Sequence, residues 1–170
     1  MLGVECRGGL AVADARDLGS LPPAQFDAVY CFHHLEQHHK LDGVNVLRGF
    51  MHLLKPGGFA QVVATDVDSV MQRIARANVD VRTVLYQSSA GPVSIEELIY
   101  GACAQPDRPA AASGAHRSEF TPQSLCEALT RAGFAETHAL VAQDAFEITA
   151  FAFKSVPTKA QRSVLGLPAA

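Results

Sequence analysis

The chain has 170 residues, of which 48% are hydrophobic and 18% charged, and its formal net charge is −3. A chain of this length is expected to fold as a globular domain that buries roughly two thirds of its unfolded surface. Lys and Arg form no basic stripe, so neither nucleic acid nor an anionic membrane is an expected partner. The absence of a signal peptide, of CxxC spacing and of any apolar run near ~20 residues favours a cytoplasmic location.

The clearest pattern is a strand, an amphipathic helix and a second strand in succession. Residues 26–32 (FDAVYCF) form a nearly continuous apolar run, which predicts a strand buried on both faces in a parallel sheet. From Asp42 the apolar residues recur at steps of three and four, which predicts a helix with Lys55 in its last turn and Pro56-Gly57-Gly58 after it. Residues 59–65 predict the next strand. Ligands of open α/β sheets bind at the carboxyl ends of such strands.

Weaker patterns surround this unit. A strand is predicted over 10–13, followed by a loop over 17–25. Helices are predicted over 68–78, over 94–103 with a Ser94/Glu97 capping box, and after Thr121-Pro122 up to Gly133. The remaining predictions are a loop over 106–115, antiparallel strands over 136–142 and 146–153, a domain over 1–154 and a tail over 155–170.

Two pairs of segments carry a resemblance to a known family. FDAVYCFHHLE followed by VLRGFMHLLKPGGFAQVVATD resembles the middle of a class I S-adenosylmethionine-dependent methyltransferase. SSAGPVSIEELIYG and AHRSEFTPQSLCEALTRAGFAE are similar to the C-terminal half of a bacterial subgroup of predicted methyltransferases. The resemblance spans about residues 10–153 and implies an α/β fold of the Rossmann-like methyltransferase type. Its sheet would be mostly parallel with an antiparallel last strand.

The sequence also departs from the family pattern. The GxGxG-type loop after the family's first strand is missing, and Arg7-Gly8-Gly9 does not replace it. The fold is therefore expected to be N-terminally truncated, and binding of S-adenosylmethionine to be weak or absent. The truncation would leave the 26–32 strand with an open edge, so we expect a homo-oligomer, most simply a dimer.

The resemblance implies roles for several residues near the cofactor. Asp14 stands where the family has an acidic residue that binds the adenine amino group, with Ala15 offering its backbone N–H and Asp17 in reserve. Asp14 equally suits the cap of a turn. Cys31, Phe32 and His33 would line the sulfonium end of the cofactor.

Catalysis and substrate binding are assigned to the turn after this strand. His33 could take a substrate proton at neutral pH, although a structural histidine is the open alternative. His34 and Glu36, together with His116 and Arg117, are the candidate substrate-binding residues. We expect replacement of His33 to affect ligand use more than folding.

Two other readings remain open. His34 and His38 stand one helical turn apart, yet the sequence lacks HExxH and a third ligand, so no metal is expected. The function indicated is methyl transfer from S-adenosylmethionine to an unidentified small acceptor. The alternative is an inactive methyltransferase-like module for interaction or dimerisation.

Overall fold

A computed structural model describes residues 2–6, 9–88, 91–101, 114–142 and 145–168. Eight strands are present: β1 Leu2–Cys6, β2 Gly9–Ala13, β3 Phe26–Phe32, β4 Leu54–Thr65, β5 Val84–Ser88, β6 Gly91–Ser94, β7 Glu136–Ala142 and β8 Glu147–Phe153. The α-helices are α1 Lys40–Leu53, α2 Val67–Ala77, α3 Ile95–Tyr100, α4 Pro122–Ala132 and α5 Lys159–Val164. Two 3₁₀ turns occupy Ala15–Ser20 and Leu35–Gln37.

Four strands form the central sheet, in the order β3-β4-β8-β7. β3 and β4 are parallel, whereas β8 is antiparallel to both β4 and β7. Three of the four strands therefore run in one direction and only the last strand of the chain runs against them. The predicted α/β sheet with an antiparallel last strand is confirmed over the described residues. β1 with β2, and β5 with β6, form two separate two-stranded sheets.

One face of the sheet is covered by α1, α4 and the turn Ala15–Ser20. Their apolar side chains meet the small residues of β4 and β8 in a single core, which includes Leu47, Phe50, Leu53, Leu125 and Leu129. α4 begins at Thr121 and Pro122 and ends at Gly133 with φ of 107°, as its capping residues predict.

The other face is covered in part by the C-terminal segment, which the sequence analysis sets apart as a tail. Leu167 packs against Phe151 and Phe153 of β8. Arg162 of α5 is buried and its Nη2 donates to Glu136 Oε2 at 2.7 Å. The segment after residue 154 thus contains a packed helix that the sequence patterns did not predict.

The prediction that β3 is buried on both faces is wrong. The side chains of Tyr30 and Phe32 are 61% and 54% exposed, and their rings stack with centroids 6.1 Å apart. The reason is that α1, α4 and the Ala15–Ser20 turn form the main core with the opposite face of β3, which carries Val29 and Cys31.

Several boundaries also differ from the predictions. α1 ends at Leu53, so Lys55 and Pro56-Gly57-Gly58 belong to β4 rather than to the helix end. Lys55 pairs instead with Asp27 on β3, with Nζ 2.7 Å from Oδ2. α2 begins at Val67, one residue before the predicted start at residue 68, and its N-cap is Asp66. The predicted capping box of Ser94 is present, and most of the predicted 106–115 loop lies outside the described residues.

Two glycines of α1 differ in how closely the neighbouring residues approach them, and Gly49 lies against the Ala15–Ser20 turn. A Cβ on Gly49 would lie 2.7 Å from Leu18 Cβ, whereas a Cβ on Gly43 would make an ordinary 3.6 Å contact with Leu35. We expect Gly49→Ala to lower the free energy of unfolding by about 1–3 kcal/mol through overpacking. Gly43→Ala should raise it by roughly 0.5–1 kcal/mol through helix propensity. Urea denaturation of both variants checks this, and equal effects would contradict the packing described.

Candidate functional site

The candidate site lies at the carboxyl ends of β3 and β4, where the chain turns sharply at His33. The backbone of His33 has φ of 43°, a left-handed conformation that few non-glycine residues adopt. Its N–H still donates to the Val63 carbonyl at 3.0 Å, so the strand pairing continues up to the turn. The imidazole is therefore held at the edge of the sheet where ligands of this architecture bind.

The His33 ring lies between two carboxylates. Nδ1 is 3.1 Å from Glu36 Oε1, and Nε2 is 3.0 Å from Glu147 Oε1. Since an ionised carboxylate can only accept, both ring nitrogens donate and the ring is an imidazolium. Burial tends to lower the pKa of His33, but the hydrogen bonds to Glu36 and Glu147 outweigh it and raise the pKa.

Glu36 connects three segments of the chain. Its side chain is 1% exposed, and Oε1 accepts from the Thr65 backbone N–H at 2.8 Å. Its backbone carbonyl accepts from the N–H groups of Arg117 and Ser118 at 2.7 and 3.1 Å. Burial tends to raise the pKa of Glu36, but His33 and the backbone donors lower it, so the carboxylate stays ionised. Oε2 is buried without a hydrogen-bond partner among the described residues.

A narrow pocket opens beside this carboxylate. Its polar lining comes from Glu36 and Thr65 at the ends of the strands and from His116 and Ser118. The apolar part of the lining comes from α2 and α3, with Val67, Val70, Leu98 and Ile99. The pocket thus lies outside the ends of β3 and β4, where the topology predicts ligand binding.

His34 and His38 form a pair of histidines that follows His33 in the same segment. Their Nε2 atoms are 3.1 Å apart, so one ring donates to the other. Burial lowers the pKa of both rings, and for His38 the neighbouring His34 lowers it further. Among the side chains that the structure describes, no three His, Cys, Asp or Glu groups gather in a way that could hold a metal ion.

Asp14 caps the Ala15–Ser20 turn. Its Oδ1 accepts from the Arg16 backbone N–H at 2.9 Å and its Oδ2 from Arg16 Nη2 at 2.6 Å, and these bonds lower the pKa of Asp14. Ala15 is buried in the core.

Cys31 and Phe32 point to opposite faces of β3. The Cys31 side chain is 1% exposed within the core, and burial raises the pKa of its thiol to about 12. Such a core thiol does not favour the predicted contact of this side chain with a cofactor. Phe32 is exposed and meets the His33 ring edge to face, with centroids 4.5 Å apart.

His116 and Arg117 are brought to the same turn although they lie some eighty residues away in sequence. The His116 N–H donates to the Tyr100 carbonyl at 3.1 Å, and the imidazole lines the pocket beside Glu36. The Arg117 guanidinium is exposed, with Nη1 3.4 Å from His39 Nε2. Of this pair only His116 faces the pocket.

Sequence reasoning missed three residues of this site: Thr65, Ser118 and Glu147. The pairing of Thr65 with Glu147 places both at the edge where β3 ends. An acidic residue at the start of a strand antiparallel to β4 is the signal that could have pointed to Glu147.

The geometry can be compared with known proteins at this point. Residues 5–61 match the family described as a methyltransferase domain. That range includes Asp14, Ala15 and the whole turn from Cys31 to Glu36. No curated protein matches the chain significantly.

Solved structures with the same architecture extend the comparison. A protein of Thermotoga maritima, described as a SAM-dependent methyltransferase and possible histamine N-methyltransferase, is 16% identical, with a TM-score of 0.51. The match covers 84% of this chain and 62% of that one. The fold is that of the Rossmann-like methyltransferases.

Two further structures give similar values. A Bordetella parapertussis protein described as a possible exported protein is 15% identical, with a TM-score of 0.51 and coverage of 85% of this chain and 43% of that one. Human N-acetylserotonin methyltransferase, solved with SAM, is 16% identical with a TM-score of 0.48, and coverage is 82% of this chain and 32% of that one. The chain therefore spans less than two thirds of the length of each of these structures.

The ion pairs of His33 predict a pH-dependent contribution to stability. We expect His33→Asn, which tolerates the left-handed backbone, to lower the free energy of unfolding by about 1–3 kcal/mol, because it leaves Glu36 poorly compensated. The expectation that His33 affects ligand use more than folding does not take these ion pairs into account. His39→Asn, at an exposed position, is the matched control.

The sign of the pH effect follows from the raised pKa of His33. The contribution is present below the unfolded pKa of about 6.5 and is lost as the pH rises through the folded pKa. Denaturation at about pH 6 and about pH 9 should therefore show a larger wild-type advantage at the lower pH. An advantage that is constant over this range would contradict the imidazolium assignment.

Proposed function

We propose that this chain is a class I methyltransferase of the bacterial subgroup, which transfers a methyl group from S-adenosylmethionine to a small acceptor. The observation that carries the proposal is the match of residues 5–61 to a methyltransferase domain, together with the pocket at the carboxyl ends of β3 and β4. The Thermotoga maritima protein with this fold is described as SAM-dependent, which supports the choice of cofactor. Among the described residues no helix has the length and apolar character of a membrane span. We propose a cytoplasmic location.

In this proposal the cofactor lies over the turn that follows β3. The exposed Phe32 ring supplies an aromatic face for the sulfonium cation, and Asp14 with the Ala15 backbone binds the adenine. Asp14 and Phe32 both lie in residues 5–61, which match a methyltransferase domain, and this supports the placement.

Positioning supplies most of the catalysis in this mechanism. A direct displacement needs the nucleophile aligned with the methyl carbon and does not require a general base. Because both ring nitrogens of His33 face carboxylates, His33 would have to break an ion pair before accepting a proton. We therefore propose that His33 fixes the crevice geometry and its electrostatics, while Glu36 and His116 contact the acceptor.

The cofactor affinity of this chain is expected to be low. The 170 residues contain no GxG sequence, and such a loop supplies backbone contacts to the cofactor in the family. We predict that S-adenosylhomocysteine raises the melting temperature only at concentrations well above the micromolar range. A dissociation constant near or below ~1 μM in calorimetric titration would contradict this prediction.

The same titration tests the proposed function when two variants are added. Asp14→Asn keeps the turn cap, because Asn is also a good cap, but removes the carboxylate. Asp80→Asn is its control, because the Asp80 carboxylate bonds the N–H and the guanidinium of Arg82 in the same way. We expect Asp14→Asn to abolish the thermal shift and Asp80→Asn to keep it. No shift at any ligand concentration in the wild type would instead favour the inactive interaction module.

We also propose that the chain forms a homodimer through the open edge of β3. The His33 N–H bonds β4, so by the alternation of a parallel ladder the backbone groups of Tyr30 and Phe32 face the open edge. Their exposed rings add apolar surface beside these unpaired groups. Antiparallel pairing of two copies would satisfy both.

A charge on this edge should prevent the pairing. We expect Tyr30→Lys to be monomeric under conditions in which the wild type is a dimer, because lysines on edge strands oppose association. Leu41→Lys, at an 82% exposed position of α1, should leave the dimer intact. Light scattering at high micromolar concentration checks both, and a monomeric wild type would sink the idea.

A further inference from the structure

The second carboxylate oxygen of Glu36 is a buried acceptor for which the described residues supply no donor. Oε1 accepts from Thr65 and from His33, but Oε2 has no hydrogen-bond partner among the described residues. The Glu36 side chain is 1% exposed, so bulk water does not solvate this oxygen. Leaving a charged acceptor unpaired in a protein interior is costly, which points to a donor supplied from outside.

The pocket beside Glu36 determines the size of that donor. Its free space accommodates about one water-sized group. This space takes only the donor group itself, so a short hydrocarbon chain attached to the donor would extend towards the surface along the half-buried apolar residues Val67, Leu98 and Ile99. A planar guanidinium is too wide for such a space, whereas an ammonium group is compact and carries three donors.

The charges around the pocket determine the sign of the charge that a ligand must carry. The His33 imidazolium lies between two carboxylates, Glu36 and Glu147, so this group of three carries one surplus negative charge. Glu119 at the pocket adds a further acidic side chain, and His116 is also among the lining residues. A monocation compensates the surplus, whereas a neutral donor such as water does not.

We propose that this pocket binds a primary ammonium group through Glu36 Oε2, and that the substrate of the site is a small primary amine. The role of the amine as a substrate rests on the proposed methyl transfer, whereas its binding to the pocket does not. A bound ammonium has no lone pair, so it anchors the molecule. The methyl carbon would leave the sulfonium sulfur, which keeps the bonding electron pair, for a second nucleophilic atom of the same substrate, and the proton of that atom would pass to solvent. The carboxylate remains ionised and does not take the ammonium proton.

The test uses propylammonium chloride as the probe on the full chain. 1-Propanol serves as the neutral control and tetramethylammonium chloride as the cation without donors. We expect propylammonium alone to raise the melting temperature and to shift the Thr65 amide resonance, because that N–H bonds the carboxylate that binds the probe.

Two variants make the test specific. Glu36→Gln should weaken propylammonium binding at least about tenfold, because a charge-assisted hydrogen bond becomes a neutral one. Glu127→Gln on the exposed side of α4 is the matched control and should bind as the wild type does. If Glu36→Gln does not fold, Val67→Ile narrows the pocket while keeping the carboxylate, and it should lose the probe in the same way.

The outcomes separate this inference from the proposed function. Equal responses to propylammonium and 1-propanol, a response to neither, or unchanged binding in both Glu36→Gln and Val67→Ile would each overturn the amine site. Because these measurements need no S-adenosylmethionine, a chain that binds propylammonium but not S-adenosylhomocysteine retains the amine site and loses the methyl-transfer proposal. A chain that binds S-adenosylhomocysteine but not propylammonium retains the methyl-transfer proposal and loses the amine site.

Discussion

The buried carboxylate of Glu36 is the constraint on which the carboxyl edge of the sheet depends. It is charged and removed from water, and its Oε1 accepts from the His33 ring and from the Thr65 N–H. An ionised group in such a position is tolerated only when donors surround it. The requirement to compensate one charge therefore fixes the ends of β3 and β4. The backbone carbonyl of the same residue separately holds the N–H groups of Arg117 and Ser118.

The ion pairs of His33 also determine the backbone geometry of the turn. Its left-handed conformation is unfavourable for a residue with a Cβ, and the two ion pairs of its ring offset that strain. The turn consequently directs Glu36 inward while Phe32 remains exposed. The same arrangement gives the site a surplus negative charge, and this surplus accounts for the preference that we infer for a cation.

Sequence reasoning predicted the elements that carry a clear apolar pattern or a strong cap. β4, α1 and α4 show an apolar period and have many buried positions, and the caps Thr121 and Gly133 mark the ends of α4. β3 was predicted from a continuous apolar run, although Cys31 is its one buried residue. β5 is largely exposed, so it leaves no such period, and it was not predicted. The six-residue α5 is also too short to show one; it is held by Arg162, whose partner Glu136 lies 26 residues earlier.

The site shows the same division between local and distant contacts. His33, His34 and Glu36 could be predicted to lie together because they share one turn at a strand end. Glu147 and Thr65 could not, since their proximity depends on β8 lying antiparallel beside β4. The burial of Cys31 likewise depends on which face of β3 the helices cover. The alternation of side chains along one strand shows which residues share a face, but not which face is buried.

The strand order β3-β4-β8-β7 also imposes an order on folding. β7 is hydrogen-bonded only to β8 within the described sheet, so it cannot join β4 before β8 does, although it precedes β8 in the chain. The two strands are close neighbours in sequence, and a local hairpin forms with less loss of chain entropy than a distant pairing. The hairpin therefore docks as a unit and brings Glu147 to His33 in the same event. The protonation state of that imidazole, followed by NMR during refolding, would report the moment at which the sheet closes.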